Sequence, residues 1–209
     1  MSGIVNIKTA LVSVSDKTDL VPFARHLETY QVKIISTGGT AKVLTEAGIQ
    51  VTPIEQITGF PEMMDGRVKT LHPKVHGGLL AIRDKTSHAQ AMTQHGITPI
   101  DLVCVNLYPF ERTIADSQVT EAEAIEQIDI GGPSMVRSSA KNHLFVTCVT
   151  DPEQYDEVTN EITANNGATT LTLRQKLATA AFMRTAAYDT AITRWMAERW
   201  NVSPTDRES

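Results

Sequence analysis

Between Gly59 and Pro73 the chain reads GFPEMMDGRVKTLHP and sets Arg67, Lys69, Thr70 and His72 close together. A guanidinium fork, an ammonium, a hydroxyl and an imidazole are groups that bind anions and move protons. Neither a helical nor a strand period survives across the segment. Pro61 and Pro73 interrupt it, and Gly59 and Gly66 loosen it. A long irregular stretch inside a small domain is more often functional than idle. The bland alternative is a solvated surface loop. Cations held between stiffening prolines, in a chain of formal net charge -5, suit an anion-binding arm better.

Two further segments carry the means to hold a phosphate. Ser15-Asp16-Lys17-Thr18 and Thr37-Gly38-Gly39-Thr40 each offer hydroxyls and backbone N–H groups at the start of a helical pattern. The second adds glycines that admit close approach. Neither matches a Walker A or dinucleotide fingerprint, and each alone is at least as well read as ordinary helix capping. Two such loops after neighbouring strands, with Lys17 between them, point to phosphate. A third segment, Ile128-Asp129-Ile130-Gly131-Gly132-Pro133-Ser134, sets a carboxylate between two isoleucines, an odd place unless it is paired. Gly131, Gly132 and Pro133 read as a helix opening, whose free N–H groups could face a developing oxyanion. Asn106 and Tyr108 follow the clearest buried strand; without a partner they read as a turn residue and a rim aromatic. Lys141, in Lys141-Asn142-His143, reads equally as a cation at a helix C-terminus.

Positioning these groups falls to alternating strands and helices. Strands are expected over Thr9 to Val14, Val32 to Ser36, Asp101 to Leu107 and Leu144 to Val149, with a weak edge strand at Val51 to Ile54 because of Pro53. Leu20, Phe23, Ala24 and Leu27 lie at helical spacing, and Pro22 restricts that helix to an irregular start. Helices follow through Glu46, closed by Gly48; over Ser87 to His95, closed by Gly96; and over Glu121 to Gln127. Strands apolar on both faces indicate an α/β fold with a mainly parallel sheet covered on both sides. From Leu171, apolar residues at helical spacing predict a long C-terminal helix, with a stripe of Tyr188, Trp195 and Met196 at or near the surface. That stripe folds back on the sheet or pairs with a second copy, and since closed two-fold dimers are the commonest homo-oligomers, a homodimer is the expectation.

At 209 residues and 41% hydrophobic content, this is one domain, or one domain with a helical appendage. There is no apolar run long enough for a membrane span, and no basic-then-apolar start of a signal peptide. Cys104 and Cys148 sit inside apolar strands and read as reduced thiols of a cytoplasmic protein. No Cys/His spacing suggests a metal, and acidic balance with 5% aromatic residues argues against a nucleic-acid surface.

GFPEMMDGRVKTLHP, taken with SVSDKT, STGGTAK, NLYPF, EQIDIGG and AKNH in that order, resembles the inosine monophosphate cyclohydrolase domain of the bifunctional purine-biosynthesis protein. The resemblance runs from about Ala10 to Ile192. It implies a methylglyoxal-synthase-like three-layer sandwich and closure of the second purine ring, formamidoimidazole carboxamide ribotide going to inosine monophosphate and water. It implies no cofactor. Residues 1–200 would form the domain, 171–200 its helical extension and 201–209 a polar tail. A transformylase would be supplied by another chain or a missing domain.

By resemblance, Ser15, Asp16, Lys17 and Thr37, Gly38, Gly39, Thr40 would hold phosphate and ribose, with Arg67, Val68, Lys69 and Thr70 lining the same pocket. Val105 stands where many members have cysteine, so its contact would be through backbone. Asn106, Asp129, Ile130 and Gly131 would surround the heterocycle. Lys69, Tyr108, Asp129 and Lys141 match the family's catalytic candidates, and Asn106 joins them as a donor. A straight helix from Pro133 to Lys141 spans about 12 Å. Lys141 therefore reaches the site only if that helix ends early or lies along the substrate. Two other occupations of the fold stay open: a methylglyoxal-synthase-type phosphate lyase, and a non-enzymatic regulatory module like that of carbamoyl phosphate synthetase.

Overall fold

The computed structural model describes residues 3–108, 110–116 and 118–203. In chain order the strands are β1 (Ile4–Asn6), β2 (Thr9–Val12), β3 (Lys33–Ser36), β4 (Val51–Pro53), β5 (Leu102–Cys104), β6 (Thr147–Val149) and β7 (Ala168–Thr170). The helices are α1 (Leu20–Thr29), α2 (Gly38–Glu46), α3 (Ile54–Thr58), α4 (Pro73–Leu80), α5 (Thr86–Gln94), α6 (Phe110–Ile114), α7 (Glu121–Glu126), α8 (Gly131–Lys141), α9 (Tyr155–Ala164) and α10 (Leu171–Trp200).

The two-residue side-chain period of each strand feeds two cores. Ala10, Val12, Ile34, Leu102, Cys104 and Val149 face a layer built from α1, α2 and α9. Leu11, Ile35, Val103 and Cys148 face a layer built from α4, α8 and α10. Between them lies a five-stranded, wholly parallel sheet of order β4-β3-β2-β5-β6. β4, ending at Pro53, is an edge as expected. The opposite edge, β6, packs along α10, which sends Leu173 and Leu177 into one layer and Ala178, Ala181 and Tyr188 into the other. That helix covers an edge otherwise free to pair with another chain. β1 and β7 form a separate antiparallel pair. No helix among the described residues is long and apolar enough to cross a membrane.

The elements depart from expectation in physically legible ways. Pro22 sits within the first turn of α1, where its missing N–H has no helical partner to lose, and Asp19 enters with φ 52°. α4 was not expected, because Gly77 and Gly78 depress helix propensity. Packing explains both: a Cβ on Gly77 would strike Ile97, and one on Gly78 the Thr98 carbonyl. The stripe on α10 does not face solvent as a whole. Tyr188 is buried, and Trp195 packs edge-on to Phe110 at 5.7 Å. Of the polar tail, residues 204–209 lie outside the described residues, as does Pro109 of the NLYPF segment. Cys104 and Cys148 are free thiols on adjacent strands but opposite faces, and burial pushes both up to about 12.

One buried cation ties the periphery together. Arg174 on α10 is 1% exposed. Its guanidinium donates to the carbonyls of His143 (2.8 Å), Leu144 (3.3 Å), Gly3 (3.3 Å) and Thr169. Arg174→Met would leave those carbonyls unpaired. It is expected to cost roughly 3 kcal/mol, since hydrogen bonds to charged groups are worth about 1.5–3 kcal/mol each. Urea melts check this; a midpoint equal to the wild type would show that the carbonyls find other donors.

Candidate active site

Chain order along the sheet runs outward from β2 to β4, then jumps back to β5 and on to β6. The reversal lies between β2 and β5, and a cavity of about 830 Å³ opens beyond their carboxyl ends. Ser15, Lys17, Thr37, Gly38, Gly39, Thr40, Arg67, Lys69, Thr70, Val105, Asn106, Tyr108, Asp129, Ile130 and Gly131 all line it. The structure does not bring in three others. Asp16 turns its carboxylate onto Thr18, accepting from the backbone N–H at 2.9 Å and the hydroxyl at 2.7 Å. Val68 pairs its backbone with Met63 in a short antiparallel bridge. Lys141 is exposed at the last position of α8, a single helix that begins at Gly131, so it stands roughly 9 Å along the axis beyond Met135, the last α8 residue that lines the cavity.

One end of the cavity gathers a helix start, hydroxyls and cationic side chains. Thr37 caps α2 in an extended conformation without a side-chain cap bond, so the helix start keeps donors free. Its hydroxyl pairs instead with Ser13 at 2.6 Å, and Thr40 locks onto the Val14 backbone N–H (3.0 Å) and carbonyl (2.9 Å). Gly38 holds φ 41°, which glycine adopts without strain. Lys69 Nζ lies 3.3 Å from where a Cβ at Gly38 would stand, so the arm's ammonium sits on this loop. Lys69 is ion-paired with Glu62, a lining residue the sequence did not disclose. The Met63–Val68 bridge explains the pairing, because residues 62 and 69 flank it. Arg67 reaches across to Glu126 at the end of α7. Lys17 folds over the carbonyls of Ser15 (3.2 Å) and Val14 (3.4 Å).

Asn106 serves the same loop. Its Oδ1 accepts from the backbone N–H groups of Ser15 (2.7 Å) and Asp16 (3.0 Å) and from the Ser15 hydroxyl (3.0 Å). Its Nδ2 donates to the Asp16 carbonyl at 2.9 Å, which leaves one N–H for a ligand.

At the other end Asp129 lies in the turn between α7 and α8. Its carboxylate accepts the Gly132 N–H at 2.8 Å, and the backbone N–H groups of Tyr108 and Gly131 lie near enough to favour its charged form. Burial nevertheless dominates and raises its pKa above the ordinary 3.8, making it a stronger base. One N–H of the α8 start, that of Gly132, is therefore taken up by Asp129. The glycines are needed sterically. A Cβ on Gly131 would come 2.7 Å from the Thr70 hydroxyl, and one on Gly132 would overlap the Asp129 carboxylate. Tyr108 is half exposed at the rim.

A parallel sheet with its cavity at the strand-order reversal defines the class, and the chain belongs to the MGS-like domain family, whose model matches residues 19–134. A second family model, the AICARFT/IMPCHase bienzyme, matches residues 139–208. Among similar proteins is the bifunctional purine biosynthesis protein PurH of Rhodospirillum rubrum, 60% identical over 189 residues. The match takes in 90% of this chain and 36% of that protein. The PurH of Dinoroseobacter shibae is 57% identical over 198 residues, covering 95% of this chain and 37% of that protein. The chain thus spans little more than a third of the length of these relatives. The crystal structure of ForH superposes with a TM-score of 0.80 at 35% identity, covering 89% of this chain and 95% of that one.

Proposed function

We propose that this chain is an inosine monophosphate cyclohydrolase, closing the second purine ring of formamidoimidazole carboxamide ribotide with release of water. The observation that carries this reading is one cavity with a helix start that keeps donors free at one end and a half-buried Asp129, its pKa raised by burial, at the other. The purine-biosynthesis relatives and the bienzyme family model support it.

The reaction joins two groups already tethered on neighbouring ring carbons, so little entropy remains to be lost. The carboxamide nitrogen attacks the formyl carbon and gives up a proton; the former formamide nitrogen gives up the second as the formyl oxygen departs as water. Asp129 is assigned the first proton, a step worth about 10²–10⁴-fold. Donors to the formyl oxygen are the spare Asn106 N–H, the Thr70 hydroxyl and the Lys69 ammonium. One well-placed donor of this kind contributes about 3 kcal/mol. Lys69 takes the role of acid to the departing oxygen. Lys141, outside the cavity, is given none. Tyr108 covers the mouth. The preceding formyl transfer falls to another domain or chain, and the cytoplasm is the proposed compartment.

Thermal stabilisation tests the ligand class. Inosine monophosphate is expected to raise the melting temperature more than dihydroxyacetone phosphate or uridine monophosphate. Selective stabilisation by the triose phosphate would favour a lyase, and a preference for uridine monophosphate a regulatory module. Lys17→Ala is expected to raise KM about tenfold with kcat within twofold, because phosphate is bound alike in ground and transition states. An unchanged affinity for inosine monophosphate would place the cradle elsewhere.

A further inference from the structure

The turn that carries Asp129 is held from behind by the C-terminal helix. Tyr188 of α10 is 1% exposed. Its hydroxyl accepts the Asp129 backbone N–H at 2.9 Å and donates to the Gln127 carbonyl at 3.3 Å. Gln127 is the C-cap of α7 and Ile130 the N-cap of α8, so neither helix ladder holds these two backbone groups. Without the hydroxyl both would be left unpaired behind the cavity wall. The ring cannot swing away: Phe110 meets it edge-on at 6.3 Å, and Trp195 backs Phe110. Nearby, Arg184 of α10 pairs with Glu111 of α6 at 3.1 Å, and Arg199 and Trp200 both bond Glu121 at 2.9 Å at the start of α7. The C-terminal helix thus fastens α6, α7 and the turn leading to α8.

We propose that Tyr188 is a positioning residue for ring closure, fixing the main chain of Asp129 while the N–H of Gly132 fixes its carboxylate. This rests on the cyclohydrolase reading. Tyr188 touches no substrate; it acts by denying the 127–130 turn a second conformation. Misplacement of a reacting group by about 1 Å can cost about a hundredfold in rate. The phosphate loops belong to β2, β3 and β5 and do not depend on this bond, so nucleotide affinity should be spared.

Tyr188→Phe in the full chain keeps the ring and removes the hydroxyl. The expected result is a kcat lowered roughly ten- to a hundredfold, with KM for the formylated ribotide and Kd for inosine monophosphate within about twofold, and a folded protein by thermal melt. A kcat equal to wild type would overturn the inference. So would a parallel loss of turnover and inosine monophosphate affinity, which would indicate general loosening. If the variant melts below the assay temperature, Kd measured at a temperature where it is folded, with single-turnover rates there, applies the same criterion. A wild-type chain that closes no ring would sink the functional reading itself, and the inference with it. An active wild type with an equally active variant would sink the inference alone.

Discussion

Asp129→Asn is expected to lower kcat about a thousandfold, within the range of general-base contributions. KM should stay within a few-fold. The amide keeps the side chain's shape and can still accept the Gly132 N–H, but it cannot take a proton from the attacking nitrogen. A pH profile gives the assignment a second handle. The group works as a carboxylate, and burial raises its pKa above 3.8. Activity should therefore fall as pH drops through that raised value, with an acid limb at higher pH than an ordinary aspartate gives. The limb should vanish from the residual activity of the asparagine variant. Near-normal turnover in the variant would remove Asp129 as the base.

Gly132→Ala is expected to cost about a hundredfold in kcat, beyond any fraction of the protein that it unfolds. The added methyl falls within the space of the Asp129 carboxylate, which must then leave its N–H cradle. Displacements of about 1 Å cost rates on that order. Gly132 lies in the first turn of α8, where alanine is otherwise the better helix former by about 1 kcal/mol. Thermal melts and kinetics on one preparation separate the effects. Activity lost only in proportion to unfolded protein would refute the steric account.

How much the chain disclosed depended on whether a signal was local. The loops proposed to hold phosphate were legible as elements because their parts are short: a strand, a turn with hydroxyls and glycines, then a helix start. Asp129 stood out as a carboxylate between Ile128 and Ile130. Lys141 shows the limit of reading by order of motifs. It follows that turn closely in sequence, but α8 runs unbroken from Gly131 and sets it outside the cavity lining, a separation that motif order does not disclose. The adjacent Asn142 has an internal use, donating to the carbonyls of Leu79 (2.7 Å) and Ala81 (3.1 Å). The Glu62–Lys69 pair depends on a bridge register that no helical or strand period announces. Tyr188 reaches Asp129 across 59 residues, so its periodicity revealed a buried helix face and nothing of the hydrogen bond.

The proposed closure of the purine ring by this chain alone is tested by ultraviolet absorbance after mixing purified protein with the formylated ribotide. The expected result is enzyme-dependent conversion to inosine monophosphate, first order in protein, and abolished to near background by Asp129→Asn. Absence of any absorbance change above the uncatalysed rate, with the protein folded and binding inosine monophosphate, would contradict it.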